Sequence, residues 1–142
     1  MREKKYHAHV LVIFTLCLCL LLPSATIAAD HGETYIKCTA ISTDGTLYPG
    51  NIEMVGDVNC FSFTATKGNT YVIETSEFST ACDPVINLYS ADGTIEIDGN
   101  ENRSTSLSSK IEWSASSSGI YYVMVENLDS TSGNISYKIS VK

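Results

Sequence analysis

A period of two runs through this chain, and it decides what the chain can fold into. In the stretch Ile135–Val141, Ile135, Tyr137, Ile139 and Val141 fall on one side of an extended backbone, and Ser136, Lys138 and Ser140 fall on the other. The same residues wound at 3.6 per turn would be scattered around a helix. The pattern recurs in Asn59–Thr64 with Phe61 and Phe63, in Val85–Tyr89 with Ile86 and Leu88, in Lys110–Ser114 with Ile111 and Trp113, and in Ile120–Val125 with Val123 and Val125. Thr70–Thr75, which carries Ile73, follows a Lys67-Gly68-Asn69 turn and reads as the returning strand of a hairpin. Ala91-Asp92-Gly93 is a tight turn into Thr94–Ile97, and Ser116–Gly119 turns the chain into Ile120. Tyr35–Thr39 and Asn51–Val55 are weaker strand candidates, and Gly99–Ser109, polar throughout, reads as a loop. No window supports a helix of three turns. Eight or nine short strands, each with one apolar face, can bury those faces only by packing two sheets together. The expected fold is therefore all-β, a two-sheet antiparallel β-sandwich. Its core would hold Phe61, Phe63, Ile73, Ile86, Leu88, Ile111, Trp113, Val123, Val125, Tyr137 and Ile139.

The amino terminus follows a different logic. Arg2, Lys4 and Lys5 precede an apolar run, Val10–Leu22, interrupted only by Thr15; Pro23 ends it, and small residues lead to Asp30. That order is the order of a secretory signal peptide. The run would rise roughly 20 Å as a helix, short of the ~30 Å hydrocarbon core, which argues against a retained anchor. The expectation is a signal peptide over residues 1–29, one domain over residues 30–142, and a secreted, extracellular product with no membrane association after cleavage. Cleavage after Ala28 or after Ala29 both fit.

Removing Arg2, Lys4, Lys5 and Glu3 from nine basic and sixteen acidic residues leaves six against fifteen, a net charge of −9. A nucleic-acid partner, whose phosphates require a basic face, is excluded on that balance. The domain has one histidine, His31, beside its start, which cannot serve as the base of a Ser–His or Cys–His pair inside a fold. A carboxylate pair of the glycosidase type needs only the right separation in space, but nothing singles out two of the fifteen. Export permits disulfides, and Cys38, Cys60 and Cys82 allow three pairings. Cys60–Cys82, with one cysteine in a strand and the other just before one, is the favoured pair. Three cysteines without a CxxC spacing or a histidine do not make a metal site.

The ordered motifs Gly56-Asp57-Val58-Asn59-Cys60-Phe61-Ser62-Phe63, Lys67-Gly68-Asn69-Thr70-Tyr71, Asp83-Pro84-Val85-Ile86-Asn87-Leu88-Tyr89, Asp92-Gly93, Ile111-Glu112-Trp113, Ser118–Val125 and Tyr137–Val141 resemble the bacterial pre-peptidase C-terminal domain, the small β-sandwich appended to secreted peptidases. The resemblance spans residues 51–142. It implies a jelly-roll-like sandwich that is a non-catalytic appendage in other proteins, where some relatives bind collagen or polysaccharide and some hold calcium. Two positions depart from the family pattern: Cys60 stands where an aromatic residue is usual, and Asn59 where Asp is frequent. The protease domain that such modules normally follow is missing from the sequence.

Two sets of residues are candidates for function. Asp57 and Asn59, at the entrance of the strand carrying Phe61, could contribute oxygens to the calcium site that the resemblance implies, with Asp30 or Glu33 as further ligands. Against this, the two side chains could simply shape a turn through bonds to backbone, and the neutral Asn59 weighs that way. A second oxygen-rich stretch, Asp98, Asn100, Glu101 and Asn102, reads as a solvated loop. On strand parity, Tyr89, Tyr122 and Met124 point away from the core, and exposed aromatics on a rigid sheet are a usual means of gripping a peptide or sugar. The expected function is an exported, non-catalytic binding module for an extracellular protein or polysaccharide surface. The competing expectation is an accessory domain that assists secretion or folding of a separately encoded secreted hydrolase.

Overall fold

The computed structural model describes residues 37–79, 83–101, 108–128 and 134–142. Among them are nine strands: β1 (Thr39–Ala40), β2 (Tyr48–Ile52), β3 (Asn59–Ala65), β4 (Thr70–Ser76), β5 (Pro84–Tyr89), β6 (Glu96–Asn100), β7 (Lys110–Ser114), β8 (Gly119–Asn127) and β9 (Ile135–Val141). They form a five-stranded sheet, β1-β3-β8-β5-β6, and a four-stranded sheet, β2-β9-β4-β7. Every pairing is antiparallel except β1 with β3. The fold is the all-β sandwich that the period of two required. Its core lies between the sheets: Phe61, Phe63, Ile86, Leu88, Val123 and Val125 from one meet Tyr71, Ile73, Ile111, Ile135, Tyr137, Ile139 and Val141 from the other, all buried.

The strands are where the alternation placed them, but their connections differ. The turn at Lys67–Asn69 forms, with Gly68 at φ 87°, yet β3 and β4 do not pair as a hairpin. They belong to opposite sheets, and Phe63 faces Tyr71 across the core at 5.6 Å between ring centroids. The turn bonds instead to the chain between β7 and β8: Gly68 N–H donates to the Ala115 carbonyl (2.8 Å), and Ala115 N–H to the Asn69 carbonyl (2.9 Å). Among the described strands only β5 and β6 are consecutive neighbours in one sheet.

Three boundaries move. The strand expected at Asn51–Val55 is Tyr48–Ile52, fixed by its register on β9 from Tyr48↔Ile139 to Ile52↔Ile135. Met54 and Val55 are left exposed in the turn that follows, where Gly56 takes φ 83°. The strand expected at Thr94–Ile97 is Glu96–Asn100, so Gly99 and Asn100 belong to a strand rather than to the loop read there. Polarity misleads at this point because β6 is an edge strand exposed on both sides, with Ile95 and Ile97 in solvent and Asn100 Oδ1 accepting from Lys110 N–H. Trp113, expected in the core, packs against it only half-buried, since β7 is the edge of its own sheet. Of the Tyr35–Thr39 candidate, only residues 37–39 fall within the described residues, and Thr39 opens β1.

The disulfide is Cys38–Cys60, not the favoured Cys60–Cys82. β1 lies parallel on the edge of β3 with Thr39 opposite Phe61, which brings Cys38 to a Cα–Cα distance of 4.6 Å from Cys60. Cys82 lies outside the described residues.

Candidate functional site

Alternation along β3, β8 and β5 sends Phe61, Phe63, Val123, Val125, Ile86 and Leu88 inward, and therefore sends Ser62, Tyr122, Met124, Asn87 and Tyr89 to the outer face of the five-stranded sheet. Strand register arranges these in rows. Ser62 lies opposite Tyr122, Tyr122 opposite Tyr89, and Tyr89 opposite Glu96; the next row runs Cys60, Met124, Asn87, Gly99. The three residues expected on this face, Tyr89, Tyr122 and Met124, are thus brought together. All three are half-buried. Tyr89 and Tyr122 are a direct cross-strand pair, with Cβ atoms ~5 Å apart, so both side chains stand on the same outer face.

Two features of this face were not legible from composition. A Cβ on Gly99 would come within 2.7 Å of Asn87 Oδ1, so the glycine is what lets the Asn87 carboxamide lie across β6. Cys60 also points to this face, yet it is fully buried, beside Met124 and bonded to Cys38. The disulfide closes the β3 end of the row that holds Met124.

Asp57 and Asn59 are placed apart from this face and do different work. Asp57 Oδ2 accepts from Glu53 N–H at 2.7 Å, and Asp57 N–H donates to the Met54 carbonyl at 3.1 Å, so the side chain closes the turn between β2 and β3. Asn59 points into the sandwich, fully buried, where its Oδ1 accepts from Asn51 N–H (3.2 Å) and Tyr137 Oη (2.9 Å). Both side chains thus give oxygens to protein donors. Among the described residues no three His, Cys, Asp or Glu side chains converge as a metal cage would require. The described residues do not by themselves fit a calcium ion; Asp30 and Glu33 lie outside them. Asp98 and Asn100 lie on β6, and Asn102 lies outside the described residues.

At one end of the sandwich the turn between β5 and β6 faces the turn between β7 and β8 across an open depression of about 420 Å³, whose lining includes Asp92, Ile97 and Tyr121. Beneath it Phe63, Tyr71, Trp113 and Tyr121 form an aromatic cluster, with Trp113 and Tyr121 centroids 4.5 Å apart. Sequence reasoning missed this depression because its walls come from turns some 25 residues apart. Parity marks strand faces and is silent about which turns meet.

No protein-family model matches the chain, and no curated protein sequence matches it. Solved structures do. The chain is similar to the pre-peptidase C-terminal domain of collagenase from Bacillus anthracis, with a TM-score of 0.58 at 19% identity, over 73% of this chain and 93% of that one. It is also similar to PliG from Aeromonas hydrophila, a periplasmic inhibitor of g-type lysozyme, with a TM-score of 0.50 at 12% identity, over 73% of this chain and 96% of that one. At these identities the likeness concerns architecture: the chain has the fold of the pre-peptidase C-terminal domain, as the order of its sequence motifs implied.

Proposed function

We propose that this chain is an exported, non-catalytic module that binds an extracellular protein or polysaccharide through the outer face of its five-stranded sheet. The single observation that carries the reading is the pairing of Tyr89 with Tyr122 across β5 and β8, with Met124 one row along. Two aromatic side chains held by a paired backbone offer area without losing much side-chain freedom on binding. Export is supported by the leader pattern of residues 1–29 and by the Cys38–Cys60 disulfide, a bond that persists in oxidising compartments. The test is retention on insoluble collagen and on insoluble polysaccharides, comparing the exported chain with Tyr89→Ala and Tyr122→Ala. Retention by at least one polymer that both variants lose supports the reading; retention by none, or by variants and parent alike, removes it.

A second reading is favoured by the likeness to PliG, which extends over nearly the whole of that inhibitor. The partner would then be a secreted hydrolase, which the module inhibits or whose secretion or folding it assists. Co-purification of one glycan hydrolase or peptidase with the exported chain, without retention on insoluble polymer, distinguishes this from the first.

A further inference from the structure

We propose that the depression between the β5–β6 and β7–β8 turns is a binding site for a single lysine or arginine side chain of a protein partner. It does not depend on the outer sheet face.

The depression combines a fixed anion, an apolar wall and a rigid floor. Its anion is Asp92. The Oδ1 atom of Asp92 accepts from Thr94 N–H at 3.0 Å and from the Ser90 hydroxyl, and Gly93 N–H donates to the Ser90 carbonyl at 2.8 Å. Ser90 Oγ in turn accepts from Ile95 N–H at 3.1 Å. The Ser90 hydroxyl first, and then Thr94, hold the carboxyl below the usual carboxylate range, and the remaining bonds brace Ser90 itself. They also fix its position before any ligand arrives, so binding orders little there. Among the described residues no lysine or arginine pairs with Asp92, and none lines the depression.

The wall is Ile97 with Ala91. The register of β6 on β5 passes from Leu88↔Asp98 to Tyr89↔Glu96, which leaves Ile97 as the extra residue of a bulge. Bulges re-aim a side chain, and this one turns Ile97 toward the depression. The floor is Tyr121, almost wholly buried, whose hydroxyl bonds to the Ser117 carbonyl (3.1 Å) and hydroxyl (2.8 Å) and whose ring packs on Trp113.

These parts select among ligands. An acid is repelled by Asp92 and by the net charge of the domain. A sugar would want an open ring face to stack on, and Tyr121 is too deeply buried to offer one. A divalent cation would find one carboxylate. A basic side chain fits each element: its methylenes lie along Ile97 and Ala91, and its charged head reaches Asp92 and the serine hydroxyls at the rim. The excess of acidic over basic residues would also steer a basic partner toward the domain.

The test is an amide NMR titration of the exported chain with N-acetyl-lysine methylamide and N-acetyl-arginine methylamide, with N-acetyl-norleucine methylamide and a methyl glucoside as controls. The expected result is saturable shifts at Asp92, Gly93, Thr94 and Ser117 with at least one of the basic probes, in the weak range of a single contact. Asp92→Asn, which keeps an acceptor for Thr94 N–H, should weaken the effect about fivefold, as should screening by salt. No saturable shift at these amides, shifts of equal size with norleucine derivative or glucoside, or an unchanged response in Asp92→Asn would each overturn the proposal. Shifts confined to Tyr89 and Tyr122 would overturn it too while leaving the outer face intact as a binding surface.

Discussion

Tyr137 and Asn59 join the two sheets through the middle of the sandwich: Oη of the tyrosine, on β9, donates to Oδ1 of the asparagine, on β3, at 2.9 Å, and both residues are buried. The same oxygen accepts Asn51 N–H from β2, so one carboxamide ties three strands. Removing the phenol oxygen leaves a buried acceptor with one donor fewer, which costs about 1–2 kcal/mol. Tyr137→Phe should therefore fold but melt at a midpoint lower by roughly 5–10 °C. Differential scanning calorimetry of the two proteins checks this, and an unchanged midpoint would mean that the bond contributes nothing net.

The ring of Tyr137 lies directly against Gly50. A Cβ at that position would meet Cζ and Oη of the tyrosine and approach Cε1 to 2.7 Å, and a ring packed between sheets cannot retreat. Gly50→Ala should cost at least about 3 kcal/mol, or prevent folding outright. Gly99 is the informative contrast. Its Cβ would meet the carboxamide oxygen of Asn87 at 2.7 Å and Glu96 Oε1 at 3.2 Å, the movable ends of exposed or half-exposed side chains. Gly99→Ala should cost less than about 1 kcal/mol, and denaturant melts of the pair measure the difference.

The Cys38–Cys60 bridge closes a loop with a sequence separation of 22 and holds β1, two residues long, against β3. Loop-closure entropy assigns such a bridge about 3 kcal/mol. Reduction, or the double substitution Cys38→Ser with Cys60→Ser, should lower stability by an amount of that order. Peptide mapping of the purified protein should recover the two cysteines linked. With that bridge formed and the leader removed, one cysteine, Cys82, has no cysteine partner in the chain, so the denatured product should titrate one thiol. Three thiols would mean that the bridge is absent.

Which parts of this were legible in the sequence follows from what a period of two encodes. Alternation assigns each residue a side of its strand, so Phe61, Ile86 and Ile139 were legible as core and Tyr89, Tyr122 and Met124 as outer face. It carries no information about which strands pair. The turn at Lys67–Asn69 looks the same whether it joins a hairpin or crosses between sheets, and only the contact of Phe63 with Tyr71 decides. The parallel pairing of β1 on β3, on which the disulfide depends, rests on two residues and leaves no periodic trace. β6 is polar because it is an edge exposed on both sides, and polarity of that kind imitates a loop. Turns escape the pattern altogether, and so does the depression they line.

Asp44 offers a test of the electrostatics outside the two candidate sites. Its Oδ1 accepts from the Ser42 hydroxyl at 2.6 Å and from Thr46 N–H at 2.9 Å, and these bonds lower its pKa from 3.8 to about 2. A carboxyl lowered by folding contributes stability that is fully present above its unfolded value and is lost as pH falls through the folded one. The contribution of Asp44 is thus intact above pH 3.8 and disappears toward pH 2. Solvent screens so exposed a group, so the change in stability is small and the titration itself is the better readout. Carboxyl-carbon NMR should place the midpoint of Asp44 near 2, and a midpoint close to 3.8 would show that the two bonds do not persist in solution.

Calcium separates the turn role of Asp57 from a metal role. The backbone of Asn51 and the hydroxyl of Tyr137 both donate to Asn59 Oδ1, so a cation at Asn59 would have to displace bonds that hold β2, β3 and β9 together, whereas Glu53 N–H takes only one oxygen of Asp57. An ion bound by the folded chain alone, at a hundredfold excess over its dissociation constant, would add about 2.7 kcal/mol and raise the melting midpoint by roughly 10 °C. The described residues supply no such cage, and the expected outcome is equal midpoints in calcium and in chelator. A rise of several degrees would instead mean that the amino-terminal arm, with Asp30 and Glu33, completes a shell around Asp57. The variants Asp30→Asn and Glu33→Gln would then abolish the rise, whereas Asp57→Asn alone would not distinguish a lost ligand from an opened turn.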